Sequence, residues 1–333
     1  MPGTRKFGVF VPQGWRMDLV DIKEPVEKYD AMSRAAKEAE RLGFDSIWLY
    51  DHFHTVPKPT LETTFECWIS TAALARDTSR IRIGQMVTCN GYRNPALLAK
   101  MASTVDVLSH GRLDFGIGAG WYEHEWRAYG YGFPEARDRL GMLDEGVQIM
   151  RQLWTAGTAT LAGKYYQVVG AIGSPRPLQD GGIPLWIAGG GEQRTLRIAA
   201  KYASYTNFDS TPDAFKRKSD ILAQHCKDVG TDFDAIVRSS NFNVVIGETE
   251  KDVADKLAWV RDHYAPLVSA AAVDRYMGLF TAGLVGTPEQ IVERLVQAQG
   301  LGLGYAIGYF VDAAYDRGSI DLFAAKVIPE LAG

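Results

Sequence analysis

Apolar positions along the chain alternate between two patterns. Short unbroken runs of β-branched and aromatic residues predict buried parallel strands, and longer stretches with apolar residues every three or four positions predict helices. The first run is 7–11, ended by Pro12-Gln13-Gly14, and a helix over 29–42 follows, closed by Gly43. Strands are then predicted at 46–50, 81–88, 113–117, 185–188, 205–208, 241–246 and 305–310. Helices are predicted at 63–76, 95–108, 137–154, 193–201, 213–228 and 251–264, with another opened by Thr287-Pro288-Glu289 and a terminal one over 320–331. The segment 155–182, holding Pro175 and Pro177, reads as an insertion, and 265–285 fits neither period. Eight βα units predict a (β/α)8 TIM barrel with insertion loops, forming one domain over 1–333. A doubly wound sheet with a helical appendage is the competitor. Even strand spacing and the lack of a Gly/Ser/Pro linker favour the barrel.

Composition narrows the partners without changing the fold. A net charge of -4 over 333 residues points to neither nucleic acid nor an anionic membrane. No apolar run suits a signal peptide or a membrane span, so a cytoplasmic protein is expected. Cys67, Cys89 and Cys226 are widely spaced and form no CxxC pair, so they are expected to be reduced.

Barrel chemistry sits at the C-terminal ends of the strands. There the sequence places Asp51-His52-Phe53-His54, Thr88-Cys89-Asn90-Gly91-Tyr92, Gly118-Ala119-Gly120-Trp121-Tyr122-Glu123 and Ala188-Gly189-Gly190-Gly191-Glu192. The triple glycine before a helix would let a phosphate approach backbone N–H groups, with Thr195 one turn on; a tight turn that binds nothing is the plain alternative. Gly116-Ile117-Gly118-Ala119-Gly120 fails as a dinucleotide fingerprint, because Trp121 occupies the sixth position and the run follows a fourth strand. His52 and His54 suggest a metal pair, yet of the other histidines only His124 follows a predicted strand, and no metal is expected. The alternatives for His52 are a structural hydrogen-bonded side chain or an imidazole poised for proton transfer. Aromatic residues crowd the same rim, and the candidate substrate pocket comprises Gln13, Trp15, Asn90 and Trp121.

Tyr50-Asp51-His52-Phe53, the run 84–88, Tyr92-Arg93-Asn94-Pro95, Gly111-Arg112, Gly118-Ala119-Gly120-Trp121 and Ala188-Gly189-Gly190-Gly191 together resemble the luciferase-like monooxygenase family. The phrases Glu66-Cys67-Trp68, 73–78, Gly120-Trp121 with Glu123, and Val11-Pro12-Gln13-Gly14 are similar to its coenzyme F420-dependent oxidoreductases. The resemblance covers 7–207 and implies a TIM barrel, commonly a homodimer, acting on a small-molecule substrate. It implies a flavin-type ring resting on a strand-three bulge whose non-proline cis peptide would be Met86-Val87. It also implies proton transfer by His52, coenzyme contacts from Asp51, Met86, Val87, Ala119 and Gly120, and a phosphate cradle at Ala188, Gly189, Gly190 and Gly191. The sugar-phosphate dehydrogenase branch has a catalytic Glu directly after the strand-four Gly. Here Trp121 stands there, and the first acid to follow, Glu123, is the candidate. The expected reaction is hydride transfer between coenzyme F420 and an apolar or aromatic molecule. The alternatives are an FMN-dependent monooxygenase and a non-catalytic flavin-binding barrel.

Overall fold

The computed structural model describes residues 5–208 and 210–331. Its strands, in chain order, are β1 (Lys6–Phe10), β2 (Ser46–Leu49), β3 (Arg82–Gln85), β4 (Thr88–Cys89), β5 (Leu113–Gly118), β6 (Thr158–Ala162), β7 (Gln167–Ile172), β8 (Leu185–Ala188), β9 (Tyr205–Asn207), β10 (Val237–Ile246), β11 (Leu284–Gly286) and β12 (Tyr305–Phe310). The parallel order β12-β1-β2-β3-β5-β8-β9-β10 closes when β10 pairs with both β9 and β12, giving an eight-stranded TIM barrel. β4 continues the third stave beyond a break at 86–87, and β11 is a short addition beside β10.

The helices are α1 (Pro25–Leu42), α2 (Cys67–Asp77), α3 (Pro95–Leu108), α4 (Glu123–Ala128), α5 (Ala136–Thr155), α6 (Thr195–Tyr202), α7 (Pro212–Val229), α8 (Glu250–Tyr264), α9 (Ala270–Thr281), α10 (Pro288–Gly300), α11 (Gly318–Lys326) and α12 (Ile328–Leu331). Their ends follow local chemistry. Gly43 stops α1 in the left-handed region at φ 84°, and Thr287 with Gln290 forms a capping box ahead of Pro288 in α10. None of the described helices is long and apolar enough to cross a membrane.

Two apolar layers result. Strand residues such as Val9, Ile47, Ile83, Phe115 and Ile187 pack outward against the helices. Inside the barrel, Trp48, Trp186 and Tyr305 fill the lower half, with the Trp48 and Trp186 rings 4.6 Å apart. The Trp48 indole fits because Gly8 and Gly84 flank it; a Cβ on either would come within 2.5 Å of its ring. The filled half leaves the upper half for a site.

The insertion at 155–182 contains the antiparallel hairpin β6-β7, which the sequence pattern leaves as loop. Residues 265–285 become α9 and β11. The aromatic loop before α5 contains the single turn and a half of α4.

One loop rests on a single carboxylate. Glu40 accepts the backbone N–H groups of Ser79, Arg80 and Ile81 at 2.8, 2.7 and 3.0 Å, joining α1 to the turn before β3. Partial burial raises its pKa, but these donors outweigh burial and bring it down to about 2. A lowered folded pKa means stability that is complete above the unfolded carboxylate pKa and lost as pH falls through the folded one. Glu40→Gln should therefore cost ~1–2 kcal/mol at neutral pH. Urea unfolding should show the gap from wild type closing as pH falls from about 4.5 toward about 2.

Candidate active site

The strand ends enclose a cavity of about 400 Å3. Its base is the break in the third stave, where Met86–Val87 is a cis peptide, as the resemblance implies. β5 can lie against this bulge only because it carries glycine. A Cβ on Gly116 would stand 1.8 Å from the Gln85 carbonyl oxygen, and one on Gly118 would stand 2.9 Å from Val87. Gly120, at φ 81°, turns the chain away beneath Cys89 and Trp126.

His52 forms one wall. Its ring stacks on Trp15, with centroids 4.2 Å apart and planes 5° apart, and Trp121 and Tyr122 meet it edge-on. Its Nδ1 lies 2.8 Å from Oε2 of Glu125. The Glu125 side chain is wholly buried, and it also accepts Tyr92 Oη at 2.9 Å and the backbone N–H groups of Phe53 and His54 at 2.8 Å each. Burial pushes its pKa up, but the hydrogen bond and charge of His52 and these N–H donors prevail and hold it below the ordinary carboxylate range. An ionised carboxylate only accepts, so Nδ1 carries a proton and Nε2 is the ring atom left to act. Nε2 has no hydrogen-bond partner among the described residues.

Glu125, rather than Glu123, is thus the carboxylate that reaches His52. Two residues apart on α4, the two side chains point about 200° apart; Glu123 faces solvent, paired with Arg127 at 2.7 Å. Two other candidates are displaced. Gln13 is buried in the backbone, its Nε2 donating to the Tyr50 and Phe65 carbonyls and its Oε1 accepting from Tyr50 N–H. It ties the β1 loop to the β2 loop and lies outside the cavity wall. Asn90 turns away toward α5, donating to Tyr166 Oη at 3.1 Å.

Asp51, Met86, Val87, Ala119, Gly120, Ala188, Gly189, Trp15 and Trp121 all line the cavity with His52. The Asp51 carboxylate is spent on a two-pronged ion pair with Arg93, at 2.7 and 3.0 Å, and on Cys89 N–H. It locks the second loop to the fourth stave's neighbour rather than presenting a free charge. Gly190 and Gly191 lie on the exposed rim beyond the wall. A Cβ on Gly190 would meet Lys218 Nζ at 3.3 Å, and one on Gly191 would meet Thr195 Oγ1 at 2.6 Å, so a cation and a hydroxyl border this backbone.

The sequence places Thr88 at a strand end without giving it a role and does not single out Arg139, Asn207 or Asn241; all four line the wall. Thr88 Oγ1 is buried with no hydrogen-bond partner among the described residues, which suits it to a polar atom of a ligand. The Cys89 thiol, also in the wall, is pushed up by burial and by the charge of Asp51, so it stays protonated. Among the described residues no three His, Cys, Asp or Glu side chains converge as metal ligands.

Comparison with known proteins places the chain. A model of the luciferase-like monooxygenases matches residues 5–304. The chain belongs to that family. Among curated luciferase-like relatives, the F420-dependent glucose-6-phosphate dehydrogenase of Amycolatopsis mediterranei is 35% identical over 170 residues, 50% of this chain and 48% of that protein. The enzyme of the same name from Intrasporangium calvum is 36% identical over 194 residues, 57% of this chain and 54% of that one. The chain spans about half the length of the curated relatives it matches. Solved structures share the whole fold. An F420-dependent secondary alcohol dehydrogenase in complex with an F420-acetone adduct has a TM-score of 0.77 at 20% identity, covering 98% of this chain and 99% of that one. The EDTA monooxygenase of Chelativorans sp. BNC1 has 0.80 at 18%, covering 98% and 93%. At these identities the likeness establishes the luciferase-like fold alone.

Proposed function

We propose that this chain is an oxidoreductase that moves a hydride between coenzyme F420 and a small organic substrate, with His52 transferring the accompanying proton. One observation carries the reading. The Met86–Val87 bulge, the partnerless Thr88 hydroxyl and the Glu125-held imidazole all border a single cavity at the barrel mouth. The curated relatives, named as F420-dependent dehydrogenases, support the choice of coenzyme.

A deazaflavin, when bound, supplies two-electron hydride chemistry. Met86, Val87, Ala119 and Gly120 would hold its ring, and Thr88 Oγ1 offers that ring a hydroxyl. Gly189, Gly190 and Gly191, with Thr195 and Lys218, would receive a phosphoryl tail. Glu125 fixes the imidazole so that a proton enters or leaves at Nε2. Trp15 stacks on the imidazole face and Trp121 and Tyr122 meet its edge, which fixes the ring's orientation. The barrel with its hairpin insertion acts as one unit in this reading.

Titrating the purified chain in parallel with F420 and with FMN, followed by coenzyme fluorescence, tests it. F420 should bind at least tenfold more tightly. Tighter FMN binding would favour the oxygen-using monooxygenase that the family description allows, and binding of neither would remove the redox reading altogether.

A further inference from the structure

A second chamber of about 490 Å3 adjoins the His52 cavity and shares Trp15, Tyr50, Trp121, Tyr122 and Asn241 with it. Most of its lining is apolar or aromatic, and one cation stands in it, Arg16. Arg16 sits on the loop after β1, with its guanidinium over the Tyr309 ring at 3.9 Å and near Phe280 and Tyr276 at 5.7 and 5.9 Å. Nη1 donates to Asn243 Oδ1 at 2.7 Å. Arg16 makes no ion pair with any described residue. Asp18, two residues on, reaches it only through space; its oxygens take Gly14 N–H at 2.7 Å and Tyr309 Oη at 3.3 Å.

Stacking on a ring face uses the flat of a guanidinium and turns its edge N–H groups to in-plane acceptors; Asn243 and the Tyr50 and Tyr276 hydroxyls are neutral acceptors beside it, and none of them balances its charge. Holding a cation in an apolar chamber is costly unless something balances that charge. We infer that the chamber is the substrate's, and that Arg16 binds a carboxylate on an otherwise flat or apolar molecule whose other end reaches His52. The inference rests on the proposed redox function for the role of His52, but the carboxylate preference stands apart from it.

Isothermal calorimetry of the full chain with cinnamate and with its neutral amide tests the preference without coenzyme. Wild type should bind cinnamate roughly tenfold to a hundredfold more tightly than the amide. Arg16→Gln should bring the two affinities together, and Arg16→Lys should keep part of the difference. Equal affinities in wild type, heat from neither ligand, or a preference unchanged in Arg16→Gln would overturn the proposal. Should Arg16→Gln not fold, the wild-type ratio and Arg16→Lys still decide it. F420 titration of the same samples keeps the two ideas apart. A carboxylate preference lost with Arg16 in a chain that ignores F420 would uphold this site and reject the redox reading, and F420 binding with no such preference would do the reverse.

Discussion

Exchanging Glu125 for alanine is expected to lower the unfolding free energy by about 3–5 kcal/mol, because it strands the polar atoms around a wholly buried carboxylate. Four donors converge on Glu125: His52 Nδ1, Tyr92 Oη and the N–H groups of Phe53 and His54. Glu125→Gln should be milder and more telling. Its carbonyl oxygen can still accept from the two backbone N–H groups, but its NH2 then faces His52 and donates to Nδ1, which moves the ring proton to Nε2. The acting nitrogen is thereby reversed, and proton transfer should slow by about 10²–10⁴-fold with the fold intact. The pH dependence carries a sign. The Glu125 pKa is lowered in the folded chain, so its contribution is complete above the ordinary carboxylate pKa of about 4.3 and declines as pH falls below it. Denaturant midpoints for wild type and Glu125→Gln should accordingly converge in acid.

The second large effect is predicted at Gly116. Alanine there would put a methyl group 1.8 Å from the Gln85 carbonyl oxygen, which is backbone and cannot swing aside. Either β5 or the bulge must shift, at a cost of about 2–4 kcal/mol. The displaced surface is also the proposed ring seat, so coenzyme affinity should fall with stability. Gly278 supplies the control. It lies inside α9 with nothing within 4 Å of an added Cβ, and Gly278→Ala should stabilise the chain by ~0.5–1 kcal/mol. A thermal melt of Gly116→Ala at or above the wild-type midpoint would show that the Gly116 contact is not what governs the bulge.

The barrel is legible in the sequence because a buried parallel strand has little choice of residue. The expected bounds of 185–188, 305–310 and 95–108 coincide with β8, β12 and α3. The β6-β7 hairpin escapes because only one residue of each strand is buried, Ala159 and Val168, while Val169 is 90% exposed and Ile172 is 72% exposed, so its apolar residues do not alternate with the burial. Met86 and Val87 lie inside an expected strand and are placed only by the family resemblance. His52 and Gly189 can be placed by a rule about strand ends, which is local in sequence. Glu125 cannot. It meets His52 across 73 residues, from a six-residue helix whose position only the folded loops determine. Gln13 and Asn90 mislead for the same reason. Both stand at strand ends as expected, yet their amides turn toward backbone and Tyr166, which the residue types alone do not show.

A crystal structure of the chain soaked with coenzyme F420 tests the central claim most directly. The account predicts the ring lying on the Met86–Val87 bulge, with Thr88 Oγ1 bonded to it and His52 Nε2 facing the space beside it. Electron density for the coenzyme anywhere else, or a ring on the bulge with His52 turned away and parted from Glu125, would contradict it.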